Sequence, residues 1–377
     1  MGNPLIIAKT ATTILVVIIV IALVAGVYYY YTTTKTPPGF PIKPITIVCG
    51  WAPGASSDAI VRALAPGIQE YFNMTVAVTN IEGANGAVGG VEVLKAPPDG
   101  HTLFGGAYAM VQWHVVGAAN ASWADFYPIL TARSVSAIGV RPDSPWRNLT
   151  ELLNYIKANP GKIRFGSTGV GSGNHLFMMS ILKESKIPLN AIVHVPYRGG
   201  AEAYSKLLAG EVEVIGFTWG DLTPYILAGH VRPLVTSSEE DIYLEGYGYI
   251  DSVLKYIPTI KGYLDAFNVY FGIYIPRNVP DQVVVKIVEA VKYATRKEIY
   301  INVTRTRSMF PVFIIGNKSD TLMSMVESSR AWLLYELGLI SKSPTEWGIP
   351  RIEEWKWPPH DRAAKAKPWP GGIERLA

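Results

Sequence analysis

Ile45-Thr-Ile-Val-Cys-Gly-Trp-Ala-Pro-Gly-Ala-Ser-Ser-Asp58 passes from an apolar run through a turn of small residues into a stretch where Ile60, Val61, Leu64 and Ile68 recur at helical spacing. A strand that turns this sharply into a helix leaves backbone N–H groups without partners and aims the positive end of the helix dipole at the turn. Carboxylates and phosphates are the natural occupants of such a cradle. The pattern returns more than a hundred residues later, where Ile163-Arg-Phe-Gly166 leads through Ser167-Thr-Gly-Val-Gly-Ser-Gly173 into a second amphipathic stretch. Two such cradles on one chain predict an α/β protein that grips a small anion from two sides.

Working outward from the first cradle, the pattern predicts a helix over 57–72, kinked or split at Pro66-Gly67. Strands follow over 74–78 and 102–105, with a glycine-rich loop at 83–90 and a helix end at 91–95 between them. Strand, helix, strand, helix, strand predicts a parallel sheet, which binds ligands at the carboxyl ends of its strands. Residues 51–58 and 105–108 both fall there. The pattern restarts with strands over 137–140, 163–166, 192–195, 212–217 and 233–236, alternating with helices over 149–159, 175–184, 201–209 and 222–228. This is a second α/β unit. A strand over 272–275 and an amphipathic helix over 279–297 then return to the first. From 341 onward the chain is rich in Pro, Trp and charge and is expected to lie extended over the surface or to be partly mobile.

The 377 residues supply ample core, and a formal charge of +4 without any Lys/Arg block or zinc spacing argues against nucleic acid. The single cysteine, Cys49, excludes an internal disulfide and sits where a buried core residue is expected. The six histidines, at 101, 114, 175, 194, 230 and 360, show no metal spacing, and Gly169-Val-Gly171-Ser-Gly173 has the wrong spacing for a dinucleotide fingerprint. No cofactor, metal or catalytic elbow is indicated. His175 stands open to two readings, a ligand contact or a helix-start histidine bonded to backbone. Asp58 reads as dipole compensation in the first helical turn.

From 11 to 31 the chain carries no charge and closes on Tyr28 to Tyr31. At 1.5 Å per residue that run spans roughly 31 Å, the thickness of a bilayer core, so 1–31 is expected to be an uncleaved membrane anchor and 32–42 a proline-rich linker. Leu23-Val-Ala25-Gly26 keeps signal-peptide cleavage open. Five Asn-x-Ser/Thr triplets, at Asn73, Asn120, Asn148, Asn302 and Asn317, place the soluble part outside the cell as a candidate glycoprotein.

Taken in order, residues 44–54 with Asp58, Asn80 with 83–86, Ala96-Pro-Pro-Asp-Gly-His-Thr-Leu103, 158–163, 165–175, His194-Val-Pro-Tyr-Arg-Gly199 and Ala228-Gly-His-Val-Arg232 resemble the Bug-type receptors, the substrate-binding proteins of tripartite tricarboxylate transporters. The resemblance covers about residues 41–340. It implies a two-lobed periplasmic-binding-protein fold, a Venus flytrap, which here follows the transmembrane helix. Lobe one is expected over 43–139 plus 239–340, lobe two over 140–238, and a Pro/Trp-rich extension over 341–377. It also implies that loops of both lobes hold a carboxylate: Trp51, Ala52, Pro53, Gly54 and Ser56, Ala107 and Tyr108, Ser167, Thr168, Gly169 and Ser172, and Tyr197, Arg198 and Gly199. The chain departs from the family at Gly54-Ala55, at Ile81-Glu82 and at Phe217, where an aspartate is common; Phe217 is expected to make the pocket more apolar. The function so implied is capture of a small carboxylate at the cell surface for permease subunits of that transporter type. A sensory receptor of the same fold, and an ectoenzyme using His175 or Tyr197, are the alternatives.

Overall fold

The computed structural model describes residues 39–197 and 200–377. The expected anchor, most of the linker, and Arg198 and Gly199 lie outside the described residues. Among the described residues no helix is long and apolar enough to cross a membrane.

Two sheets build the molecule. The first contains β1 (Ile45–Cys49), β2 (Val76–Asn80), β3 (Thr102–Ala107), β4 (Phe126–Ser134), β12 (Val269–Pro276) and β13 (Phe310–Ile314), in the spatial order β13-β4-β12-β3-β1-β2. The second contains β5 (Ser136–Val140), β6 (Ile163–Ser167), β7 (Ile192–Pro196), β8 (Val214–Thr218) and β9 (Arg232–Thr236), ordered β7-β6-β8-β5-β9. Each has a parallel half: β1 pairs with β2 and β3, and β6 with β7 and β8. The three strands expected to form a parallel sheet do so; the antiparallel half is built by strands from later in the chain. Strand β12 arrives from the second lobe and so enters its sheet from the end opposite to β1.

Only Val135 separates β4 from β5, so the first crossing between lobes lies at 135 rather than at 139. The second expected crossing, at 238, also moves. After β9 the chain forms a hairpin, β10 (Ile242–Leu244) with β11 (Gly248–Ile250), whose Leu244 and Ile250 bury beside Phe217 and Trp219 of lobe two. Val253, Ile257, Ile260, Leu264 and Phe267 then join Phe165 and Phe177 in the main core of that lobe. Apolar residues stay where their area is removed from water, and the chain therefore returns to lobe one only at Asn268.

The helix Ser56–Phe72 runs unbroken through Pro66. Gly67 is the reason this position is small: a Cβ there would stand 2.6 Å from Ala294 Cα, on the helix Asp281–Ala294 that packs across it. The C-terminal segment departs from expectation as well. Trp369 and Ile373 are buried in lobe one, Tyr127 donates to the Pro368 carbonyl at 3.0 Å, and His360 Nε2 lies 2.6 Å from Glu327, a fully buried residue of the helix Gly316–Glu336. These residues pin to the core a segment that is otherwise mostly exposed. At the other end Phe40, expected in a free linker, packs edge-on against Phe72.

Candidate functional site at the lobe interface

Both cradles form as strand-turn-helix junctions and meet across the interface. At the first, Gly54 takes a φ of +83°, which favours glycine, and the chain enters the helix Ser56–Phe72 without a side-chain cap. Internal carboxylates fill that terminus instead. Gly54 N donates to Asp58 Oδ2 at 2.9 Å, and Ser56 N donates to Asp221 Oδ1 at 2.8 Å, from the helix Trp219–Leu227 of lobe two. Burial pushes the Asp58 carboxyl up, but the Gly54 N–H, Asn80 and Arg62 outweigh it and hold it below the usual aspartate value. The dipole-compensation reading of Asp58 thus has its geometry, and the first cradle already holds negative charge.

The second cradle is more open. Ser172 caps the helix Gly173–Glu184 by accepting from His175 N at 3.3 Å. Gly173 and Asn174 head that helix, so their N–H groups have no partner one turn earlier within it. Asn174 Nδ2 donates to Thr168 Oγ1 at 3.3 Å and fixes the loop. Behind it, Gly171 N donates to His175 Nδ1 at 3.2 Å, and Ser167 Oγ lies 2.7 Å from His194 Nε2. The two imidazoles pack at 4.1 Å between centroids. Burial lowers His175 to about 3, helped by the neighbouring His194, and burial alone lowers His194 to about 4. Both are neutral props of the loop, which decides for the backbone-bonded reading of His175.

Two adjoining cavities lie between the cradles and share Trp51, Asn85 and Thr168. The inner one, about 40 Å³, is lined by Ser56, Ser57, Ala107 and Tyr108 of lobe one, by Ser172, Asn174, Thr218 and Asp221 of lobe two, and by Arg330. The outer one, about 310 Å³, is lined also by Glu82, Gly169, Pro196 and Tyr197. A wider groove of about 770 Å³ lies between the C-terminal segment and lobe one and touches neither cradle. Trp51 reaches the cavities because Gly86 and Gly106 leave room for its ring; a Cβ at either would stand 2.9 or 2.7 Å from it.

Of the residues expected to contact ligand, Trp51, Ser56, Ala107, Tyr108, Thr168, Gly169, Ser172 and Tyr197 line these cavities. Ala52, Pro53 and Gly54 sit on the outer side of the turn, and Ser167 is buried against His194. Phe217 is fully buried among Ile215, Trp219 and Leu222, so the pocket gains no apolar wall from it. Its strand is covered on that face by the helix Gly200–Leu208, whose Ala203 and Leu207 belong to the same cluster. Arg198 and Gly199 lie outside the described residues.

Several polar contributors escaped the sequence, among them Glu82, Asn85, Asn174, Thr218, Asp221 and Arg330. Asp221 carries a faint signal, three residues after Thr218, whose Oγ1 accepts from Asp221 N at 3.3 Å as a helix cap. Arg330 carries none, because it arrives from the far end of the chain. It is 2 % exposed and donates to the carbonyls of Ala266 and Asn268 and to Gln112 Oε1.

The family model for the tripartite tricarboxylate transporter family receptor, TctC, matches residues 60–331. A UPF0065 protein of Pseudomonas sp. strain P51 is 33% identical over 66% of this chain and 72% of its own length. The solved structure of periplasmic binding protein BugD superposes with a TM-score of 0.69 at 22% identity, over 80% of this chain and all of that one. MatC of Rhodopseudomonas palustris, solved with bound malate, gives 0.67 at 19%, over 79% of this chain and all of its own. With a family model spanning most of its length and a two-lobed fold of the same shape, this chain belongs to the TctC, or Bug-type, receptors of tripartite tricarboxylate transporters.

Proposed function

We propose that the protein is a membrane-tethered solute receptor outside the cell that captures a small carboxylate between its lobes and presents it to permease subunits of a tripartite tricarboxylate-type transporter. The observation that carries this reading is the convergence of Trp51–Ser57 and Thr168–Asn174 on one interlobe cleft. Unpaired N–H groups at a helix start favour a carboxylate oxygen over a neutral one. Malate in MatC and the family membership point the same way. Closure follows from differential affinity, since a ligand touching both loops is fully held only when the lobes meet. Binding and release need no chemistry from the chain. The uncharged run over 11–31 supplies the tether, and the exposed Asn73, Asn120, Asn302 and Asn317 are the sequons open to modification.

The test is a thermal-shift screen of the full chain, held in detergent, against mono-, di- and tricarboxylates, with calorimetry on the hits. A ligand at a hundred times its dissociation constant should add about 2.7 kcal/mol of stability. Thr168→Ala should weaken the hit about tenfold while leaving the ligand-free melting point near that of the native chain. A screen in which no carboxylate shifts the melting point would overturn the assignment.

A further inference from the structure

The inner cavity is charged in a pattern that fits one kind of carboxylate. Arg330 lines it and is buried, yet among the described residues no carboxylate lies within ion-pair distance of its guanidinium. Its neighbours are carbonyls, an amide oxygen and the Tyr108 ring at 4.8 Å, so its charge is solvated by dipoles and unbalanced. Burying an unbalanced charge is costly. Asp221 lines the same cavity and is balanced already, with Arg307 at 3.7 Å. Its Oδ1 takes one bond from Ser56 N and its Oδ2 one from Thr218 Oγ1 at 2.7 Å. Each carboxylate oxygen accepts about two, so an acceptor site remains on each.

The cavity therefore presents one surplus positive charge and a free acceptor. Its 40 Å³ is enough for about three waters at roughly 10–15 Å³ apiece, which is the room that a carboxylate and one further oxygen require. The rest of the ligand must extend into the outer cavity. Among the described residues that line it the charged side chain is Glu82, which disfavours a second carboxylate beside it; Arg198, next to Tyr197, lies outside the described residues.

Resting on the solute-receptor reading, we propose that the ligand is a 2-hydroxymonocarboxylate with an uncharged tail. Its carboxylate balances Arg330 and meets the second cradle, its hydroxyl donates to Asp221, and its tail lies between Trp51 and Tyr197. A neutral amino acid brings no net charge for Arg330, and a dicarboxylate brings one too many.

Calorimetry on the full chain in detergent with 2-hydroxybutanoate, butanoate, 2-aminobutanoate and malate tests this directly. The hydroxy acid should bind about tenfold or more tightly than each of the others, because a site built to accept a hydroxyl proton is left unpaired by the deoxy analogue. In Asp221→Ala the ratio of hydroxybutanoate to butanoate affinity should fall to near one. Should that variant not fold, the ratios in the native chain stand as the test. Equal or tighter binding of butanoate, 2-aminobutanoate or malate, or binding confined to some other carboxylate, overturns the inference and leaves the receptor reading intact. Failure of every carboxylate overturns both.

Discussion

At the scale of single residues, the second cradle depends on two imidazoles that are neutral in the folded protein. Their native pKa values lie below the ordinary histidine value of 6.5, at about 3 for His175 and about 4 for His194. The unfolded chain takes up these protons as pH falls through 6.5 while the native state does not, so stability must decline from there toward pH 4. Asp58 acts in a lower window, because its depressed carboxyl pKa stabilises the fold above its ordinary value of 3.8 and the gain is lost only below it. Chemical denaturation across pH should thus show the native chain losing stability more steeply between 6.5 and 4 than His194→Gln, in which one of the two protonations is gone. Parallel curves would show that His194 is not held neutral. Cys49 belongs to the inert end of the same scale: burial pushes its thiol up to about 12, as its place in a core strand implied.

At the scale of elements, the glycine turns were legible because a turn into a helix on small residues is a local event. The strands that flank them were legible for the same reason, and β1, β3 and β6 stand within two residues of expectation. What stayed hidden was set by distant packing. Strand β4 is buried on nearly every residue, so it lacks the alternation that marks a half-exposed strand, and Pro128 within it argues against a strand. Pro66-Gly67 misled in the opposite direction. The missing proline N–H is a local defect, but the helix Asp281–Ala294 lies so close that only glycine fits, and packing outweighs the defect. Gly67→Ala should accordingly destabilise by about 1–3 kcal/mol in urea denaturation, despite the better helix propensity of alanine. A gain in stability would mean that the two helices are farther apart than described.

At the scale of the whole molecule, the chain crosses between the lobes at Val135 and Asn268, and Ser237 lies beside the first crossing. Ser136 N donates to Ser237 Oγ at 2.9 Å, Ser136 Oγ bonds Asn174 and the Phe267 carbonyl, and Arg330 holds the carbonyls on either side of Phe267. The site and the hinge therefore share residues, which couples occupancy of the cleft to lobe geometry. The site roles of Asp221 and Arg330 exist only once segments more than 100 residues apart are brought together, and beyond the cap signal at Asp221 the sequence marks neither. The C-terminal segment is likewise a tertiary feature: its Pro and Trp residues suggested an extended surface path, yet the Trp369 ring packs at a tilt against Tyr127 and His360 meets buried Glu327. Deleting residues 341–377 strips those partners and should lower the melting temperature by 10 °C or more, since removing one partner of a buried pair alone costs about 3–5 kcal/mol. An unchanged melting temperature would show the segment to be dispensable to the core.

One carboxylate ligand bridges the two cradles in the proposed receptor. A crystal structure of the chain with the tightest carboxylate from the screen tests it most directly. The ligand is predicted between Trp51–Ser57 and Thr168–Asn174, with a carboxylate oxygen on the N–H groups that head the helix Gly173–Glu184. A ligand seated instead in the groove beneath the C-terminal segment, or touching one lobe only, would contradict it.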